Sequence, residues 1–274
     1  MRNTSRWSRW LVAAMVYALS LGLAQAVTPA HARPGQPDHV HLRYTALGDS
    51  VATGAGAGPV SGDCYRSPGA YPVLWAAAHH PEQFVFAACA GATISDVITK
   101  QLSGITGHTT LVSITAGAND VGFDATKECV LADENTCLEG IARAEQTMDK
   151  NLPGKFGQLY RAVEARTARG ARVVVLGYPR LYADRACPTG LLTQRELSAL
   201  NAAMDHLDQV IESGTRTHPD VTFADVRPSF TGHGICSGHP WINSPPALTA
   251  YHPNAQGQRQ GYLPALTATT DHRP

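Results

Sequence analysis

Four short segments of this chain carry residues whose types and spacing could do chemistry. The first, Gly48-Asp49-Ser50-Val51-Ala52-Thr53-Gly54, places a serine directly after an apolar run, among small residues and glycines. At a strand end such a hydroxyl stands above the sheet, and the serine N–H faces an anion at the start of a helix. In Cys89-Ala90-Gly91-Ala92-Thr93, Gly91 offers either an unhindered N–H to a developing oxyanion or no more than the freedom to turn tightly. In Gly117-Ala118-Asn119-Asp120, the Asn119 amide can donate to the same oxyanion, and the bland alternative is an Asx turn. The fourth segment, Tyr251-His252-Pro253-Asn254, sets His252 in a loop ahead of a helical stretch, with proline fixing the turn. Taken singly each has an ordinary reading, Ser50 as a helix N-cap among them.

The competing motifs are weaker. His39, His41, His79, His80, His108, His206 and His218 fall in termini, helices or connections without companion ligands, while His233 and His239 flank Cys236 and stay open as decoys. The run Gly54-Ala55-Gly56-Ala57-Gly58 lacks the G-K-[ST] ending of a phosphate loop. No G-x-S-x-G turn is present, which argues against the α/β-hydrolase fold. Asp49 and Asp120 adjoin the candidate residues but are expected to hydrogen-bond local backbone.

These segments need elements to position them. Apolar runs bounded by turn residues at Leu42 to Leu47, Phe84 to Ala88, Leu111 to Thr115, Arg172 to Leu176 and Val221 to Val226 predict five strands. Leu197, Leu200, Met204, Leu207 and Ile211 recur at helical spacing. Further helices are expected over Leu152 to Arg169 with Gly170 as the stop, near Tyr71 to Ala78, and after Pro253. Strands alternating with helices predict one α/β domain, a three-layer α/β/α fold with a mainly parallel five-stranded sheet of flavodoxin-like type. In such sheets the ligand crevice lies beyond the carboxyl ends of the strands, where the first three segments fall.

Composition narrows the class. The 274 residues include 22 basic and 22 acidic side chains, 43% hydrophobic and 16% charged residues, which excludes a disordered tail or coiled coil. Zero net charge gives no field for nucleic acid. Arg2, Arg6 and Arg9 precede an apolar run from Trp10 to Ala26, with small-x-small sites at Ala24-Gln25-Ala26 and Ala30-His31-Ala32. This layout predicts a secretory signal peptide over residues 1–32, cleaved after Ala32 or alternatively after Ala26, and a single domain over 33–274. The apolar run of about 15 residues is short of the ~20 that span a bilayer, so no stable membrane anchor is expected once the leader is removed. Export turns Cys64, Cys89, Cys129, Cys137, Cys187 and Cys236 into a disulfide set, and no C-x-x-C pair suggests metal or redox chemistry. Six cysteines leave many pairings open. Sequential pairing, Cys64–Cys89, Cys129–Cys137 and Cys187–Cys236, closes one short and two moderate loops without crossing.

The four segments, in this order, resemble the blocks of the SGNH (GDSL-type) hydrolase family over nearly the whole mature chain. Six cysteines in a secreted chain make it similar to that family's branch of secreted actinobacterial esterases, lipases and phospholipases, in which sequential disulfides occur. The resemblance implies a carboxylic ester hydrolase working by acyl transfer. Ser50 would be the nucleophile and His252 the general base, with the N–H groups of Ser50 and Gly91 and the Asn119 amide as oxyanion hole. No cofactor and no metal is implied. The partner would be a small-molecule or lipid ester and the protein a secreted monomer.

One departure matters. Many family members carry D-x-x-H, whereas here the position three before His252 is Thr249, and no acid lies between Asp225 and Asp271. Some relatives of the secreted branch use a backbone carbonyl instead. The carbonyl of Thr249 or Ala250 is therefore expected to accept the Nδ1–H, with Asp225 as the distant alternative. The same residues would also serve an acyltransferase or tailoring enzyme, and the missing acid leaves a catalytically weak binding protein as a third reading. Tyr65, Tyr71, Phe123, Tyr178, Tyr182, Trp241 and Tyr251 are candidates for an acyl groove.

Overall fold

Five apolar runs become five strands: β1 (Arg43–Gly48), β2 (Gln83–Phe86), β3 (Leu111–Thr115), β4 (Arg172–Leu176) and β5 (Val221–Ala224). They come from a computed structural model that describes residues 41–122, 129–185, 187, 190 and 192–271. The leader expected over 1–32, His39 and the groove candidate Phe123 lie outside the described residues. All four pairings are parallel, in the order β2-β1-β3-β4-β5. Every residue of β3 is buried, as are Val173 to Leu176 of β4, because helices cover both faces. The chain order reverses between β1 and β3, so the crevice of this topology opens at the ends of those two strands.

Five helices matter for the site: α1 (Ser50–Thr53), α2 (Tyr71–His79), α3 (Glu134–Glu164), α4 (Gln194–Thr215) and α5 (Leu263–Asp271). Helix α4 opens on a reciprocal capping box: the Thr193 hydroxyl accepts from the Glu196 N–H, and the Glu196 carboxylate accepts from the Thr193 N–H. Its stripe of Leu197, Leu200, Met204, Leu207 and Ile211 is buried, as its spacing requires.

Helix α3 corrects the expectation of a helix over Leu152 to Arg169. It begins eighteen residues earlier, capped by Asp133 on the Thr136 N–H, and runs through Pro153. An interior proline costs about 3 kcal/mol. Against that stands a continuous buried stripe, Cys137, Ile141, Met148, Leu152, Phe156, Leu159, Tyr160 and Val163, whose aliphatic, methionine and phenylalanine side chains are each worth roughly 1.5–3 kcal/mol when removed from water. The helix ends at Glu164, and Gly170, with φ 71°, takes its left-handed turn only just before β4. The segment after Pro253 begins as a π-helical turn, Gly257–Tyr262, before α5.

Disulfides join Cys64 to Cys89, Cys129 to Cys137 and Cys187 to Cys236. Among the described residues no helix is long and apolar enough to cross a membrane.

Candidate active site

The turn after β1 is built to expose Ser50. Gly48 has φ 134°, and a Cβ there would lie 2.2 Å from the Thr115 carbonyl oxygen, so only glycine lets β1 end this close to β3. The Gln101 side chain clamps the Gly48 peptide, accepting from its N–H at 2.8 Å and donating to its carbonyl at 2.9 Å. Asp49 then caps α1 by accepting from the Val51 N–H at 2.9 Å, which leaves Ser50 as the first helical residue. Gln258 braces the same short helix from the far end of the chain, donating to the Val51 carbonyl and accepting from the Tyr71 N–H.

His252 arrives from 202 residues away and puts Nε2 2.8 Å from Ser50 Oγ. Its Nδ1 lies 3.0 Å from the Ala250 carbonyl oxygen. A carbonyl only accepts, so Nδ1 carries the hydrogen and the Nε2 lone pair faces the serine hydroxyl. Of the two carbonyls expected, Ala250 holds the ring, while that of Thr249 accepts the His252 backbone N–H at 3.2 Å. The Thr249 hydroxyl accepts from the Asn243 amide, which also donates to the Gly56 carbonyl. Asn243 further exchanges backbone bonds with Tyr251 and His252. Gly56 is pressed against this strap: a Cβ there would meet the Pro253 carbonyl at 2.6 Å and the His252 Cβ at 2.7 Å. Close packing under the histidine is therefore one use of the glycine run.

The third expected element also converges. Asn119 sits in a 3₁₀ turn, Ala118–Val121, directly after β3, and its amide donates to the Ala92 carbonyl at 3.0 Å. That bond uses one amide hydrogen and ties the Asn119 turn to the residue after Gly91, leaving the second hydrogen to aim elsewhere. The Ser50 and Gly91 N–H groups have no acceptor among the described residues. Asp120 departs from the expected local bonding. One of its oxygens accepts from the Ile94 N–H at 2.8 Å, and the other meets Lys155 of α3 at 2.6 Å.

Asp49 is buried, and Tyr178 donates to its second oxygen at 2.6 Å. Burial pushes the Asp49 carboxyl up from the usual 3.8 to about 6, with the Tyr178 and backbone hydrogen bonds working in the opposite direction. Asp225 is not at the histidine. Both its oxygens accept from Arg227, and these bonds outweigh burial and leave its carboxyl below the ordinary range. Of the open decoys, the His233 ring stacks on Trp241 at 3.7 Å, and its Nδ1 lies 2.8 Å from the His239 carbonyl.

Ser50, Asn119 and His252 share one pocket with Asp49, Tyr178 and Tyr251, walled by Val51, Pro179, Leu181 and Met204. Of the expected groove aromatics, Tyr178 and Tyr251 line it, and Tyr182 stands behind Tyr251 with their hydroxyls 3.3 Å apart. Tyr71 is instead core, stacked on Tyr262, Tyr65 is exposed, and Trp241 packs on His233. A cavity of about 780 Å³ contains neither Ser50 nor His252 and is bordered by paired charges such as Arg180 with Asp205 and Arg227 with Asp225. Among the described residues no group of three His, Cys, Asp or Glu is placed to hold a metal ion. Sequence reasoning missed Gln101, Gln258, Asn243 and Lys155: Gln101, Gln258 and Lys155 bond partners at least 35 residues away, and Asn243 joins the nearby His252 strap to Gly56, 187 residues away, so none leaves a spacing signal.

Residues 46–260 match the GDSL-like Lipase/Acylhydrolase family. The chain is 45% identical over 262 residues to Lipase 1 of Streptomyces coelicolor, covering 93% of this chain and 95% of that one. It is similar in structure to the extracellular lipase of Streptomyces rimosus, with a TM-score of 0.80 and 44% identity over 84% of this chain and all of the other. Phospholipase A1 of Streptomyces albidoflavus NA297 gives a TM-score of 0.79 and 44% identity, covering 83% of this chain and 99% of that one. With the family spanning the sheet from β1 to the turn after His252, the chain belongs to the GDSL-like lipase/acylhydrolases and is a carboxylic ester hydrolase.

Proposed function

We propose that this is a secreted, monomeric lipase or phospholipase in which Ser50 and His252 form a catalytic dyad without a carboxylate. The observation that carries this reading is the 2.8 Å contact between His252 Nε2 and Ser50 Oγ, with the tautomer fixed by the Ala250 carbonyl. His252 takes the Ser50 proton as Oγ attacks the ester carbonyl carbon. The tetrahedral oxyanion is received by the N–H groups of Ser50 and Gly91 and the second amide hydrogen of Asn119. His252 then protonates the leaving alcohol, and water attacks the acyl-enzyme by the same route in reverse. Every proton in this cycle moves through Nε2, and no metal or cofactor takes part.

A fatty-acyl substrate suits the walls. Apolar Val51, Pro179, Leu181 and Met204 face the serine, and beyond the Tyr182–Tyr251 pair lies a cavity of about 230 Å³ bordered by Val130, Leu192, Ile235 and Pro240. Residues 1–32 serve as the leader, and three disulfides suit an oxidising destination. The test is hydrolysis of p-nitrophenyl esters of graded acyl length and of phosphatidylcholine by the oxidised protein, Ser50→Ala and His252→Ala. Both variants should lose at least about 10³-fold in kcat. A folded wild-type protein inert on every ester and unlabelled by a fluorophosphonate would overturn the dyad. Labelling without turnover would indicate transfer to an acceptor other than water.

A further inference from the structure

The oxyanion groups sit on different loops, and their separation must be set by something between them. The Ser50 N–H follows Asp49 at the end of β1, and the Asn119 amide follows Ala118 at the end of β3. At their base the two loops are joined by the Asp49 N–H donating to the Thr115 carbonyl at 2.9 Å. Nearer the pocket they are joined by a single hydroxyl. Tyr178, from the loop after β4, donates to Asp49 Oδ2 at 2.6 Å and accepts from the Ala118 N–H at 3.3 Å. The tyrosine is itself fixed, with only 2% of its surface exposed. Its N–H donates to the buried Asp208 carboxylate at 2.8 Å, and the preceding Gly177 carbonyl accepts from the Tyr262 hydroxyl at 2.9 Å.

We propose that Tyr178 is a positioning residue that holds the Ser50 turn and the Asn119 turn at the spacing the oxyanion requires. The inference rests on the Ser50–His252 reading and adds a residue that no motif marks. Phenylalanine would fill the same core but leave the buried Asp49 oxygen without its side-chain donor and the Ala118 N–H without its acceptor. Each turn could then shift by a fraction of an ångström. Misplacement of about 1 Å costs on the order of 10²-fold in rate, and loss of one oxyanion donor about 10²–10³-fold.

The experiment is Tyr178→Phe in the wild-type and Asn119→Ala backgrounds, with kcat and KM on a p-nitrophenyl ester and the affinity for a trifluoromethyl ketone, which forms a tetrahedral adduct. In the wild-type background kcat should fall about 10–100-fold with KM within about twofold, and adduct affinity should fall in step with kcat. In the Asn119→Ala background the same change should cost at least about threefold less, because one of the groups it aligns is gone. A wild-type kcat for Tyr178→Phe, an equal loss in both backgrounds, or a loss carried by KM with adduct affinity unchanged would each overturn the proposal while leaving the dyad standing. An inert, unlabelled wild-type enzyme would overturn the dyad and this proposal together.

Discussion

Replacing Asp49, the middle residue of Gly-Asp-Ser, by asparagine should make the protein more stable at neutral pH. Asp49 is buried, and burial pushes its carboxyl from the usual 3.8 to about 6. Between those two values the folded chain keeps a proton that the unfolded chain releases, so stability falls as pH rises through the window. Above about pH 6 the ionised, buried form carries the full penalty. At about 1.4 kcal/mol per pH unit the gap amounts to about 3 kcal/mol. Asparagine imitates the protonated acid: its carbonyl oxygen can accept from the Val51 N–H, its amide can donate to the Tyr178 oxygen, and it caps helices as well as aspartate does. For a domain of this size about 3 kcal/mol corresponds to a melting temperature higher by roughly 6–12 °C. Thermal unfolding of wild type and Asp49→Asn should show that difference at pH 8, a smaller one at pH 5, and almost none near pH 3.5, where aspartate is mostly protonated in both states. A variant less stable than wild type at pH 8, or a difference that does not shrink on acidification, would refute the reasoning.

Gln101→Ala should lower stability by about 2–3 kcal/mol, because the buried Gly48 N–H loses its acceptor while the Gly48 carbonyl keeps the Cys89 N–H; urea unfolding measures it. Removing the disulfides one at a time, each as a Cys→Ser pair, should destabilise in order of the loop closed. Loop entropy gives about 2.5 kcal/mol for Cys129–Cys137, 3.5 for Cys64–Cys89 and 4 for Cys187–Cys236, and the midpoints of denaturant unfolding should follow that ranking. Thr249→Asp restores the acid of D-x-x-H, but the Thr249 side chain is bonded to Asn243 and Nδ1 already faces the Ala250 carbonyl. We expect kcat at pH 8 to stay within about threefold and the acid limb of the pH–rate profile to move upward, since a nearby carboxylate favours imidazolium.

What could be read from the sequence was what local pattern encodes. The five strands are short apolar runs between turn residues, and each lies within a residue or two of its expected place. The order of Ser50, Asn119 and His252 along the chain was legible because each follows a strand or precedes a helix, and the topology delivers such loops to one end of the sheet. Helix α3 was half missed for the opposite reason. Pro153 is a strong local signal for a helix start, and the buried stripe that overrides it depends on α4 being packed alongside. Ala250 and Thr249 could not be separated, since the choice turns on Tyr251 adopting φ 67°, a backbone state that a tyrosine enters only when its surroundings hold it. Tyr178 looked like one more groove aromatic, because its role lies in a hydroxyl whose partners are 129 and 60 residues away.

The bonding of Asp49 and Asp120 explains how a histidine can be oriented without a carboxylate. Asp49 and Asp120 adjoin Ser50 and Asn119, the proposed nucleophile and oxyanion donor, yet each is spent on the scaffold: Asp49 on the start of α1 and the Tyr178 hydroxyl, Asp120 on the Ile94 N–H and Lys155. Moving either to His252 would release a turn that carries a proposed oxyanion donor. A backbone carbonyl at the ring has no such competing duty, and being unable to donate, it fixes the tautomer as firmly as a carboxylate would. What it does not supply is a full charge to stabilise imidazolium, so under the proposed dyad the transition state would draw more of its stabilisation from the opposite side, where the oxyanion would form. In the proposed mechanism that would place the energetic weight of the site on the alignment of Ser50, Gly91 and Asn119, which the bonds of Gln101, Asp120 and Tyr178 brace.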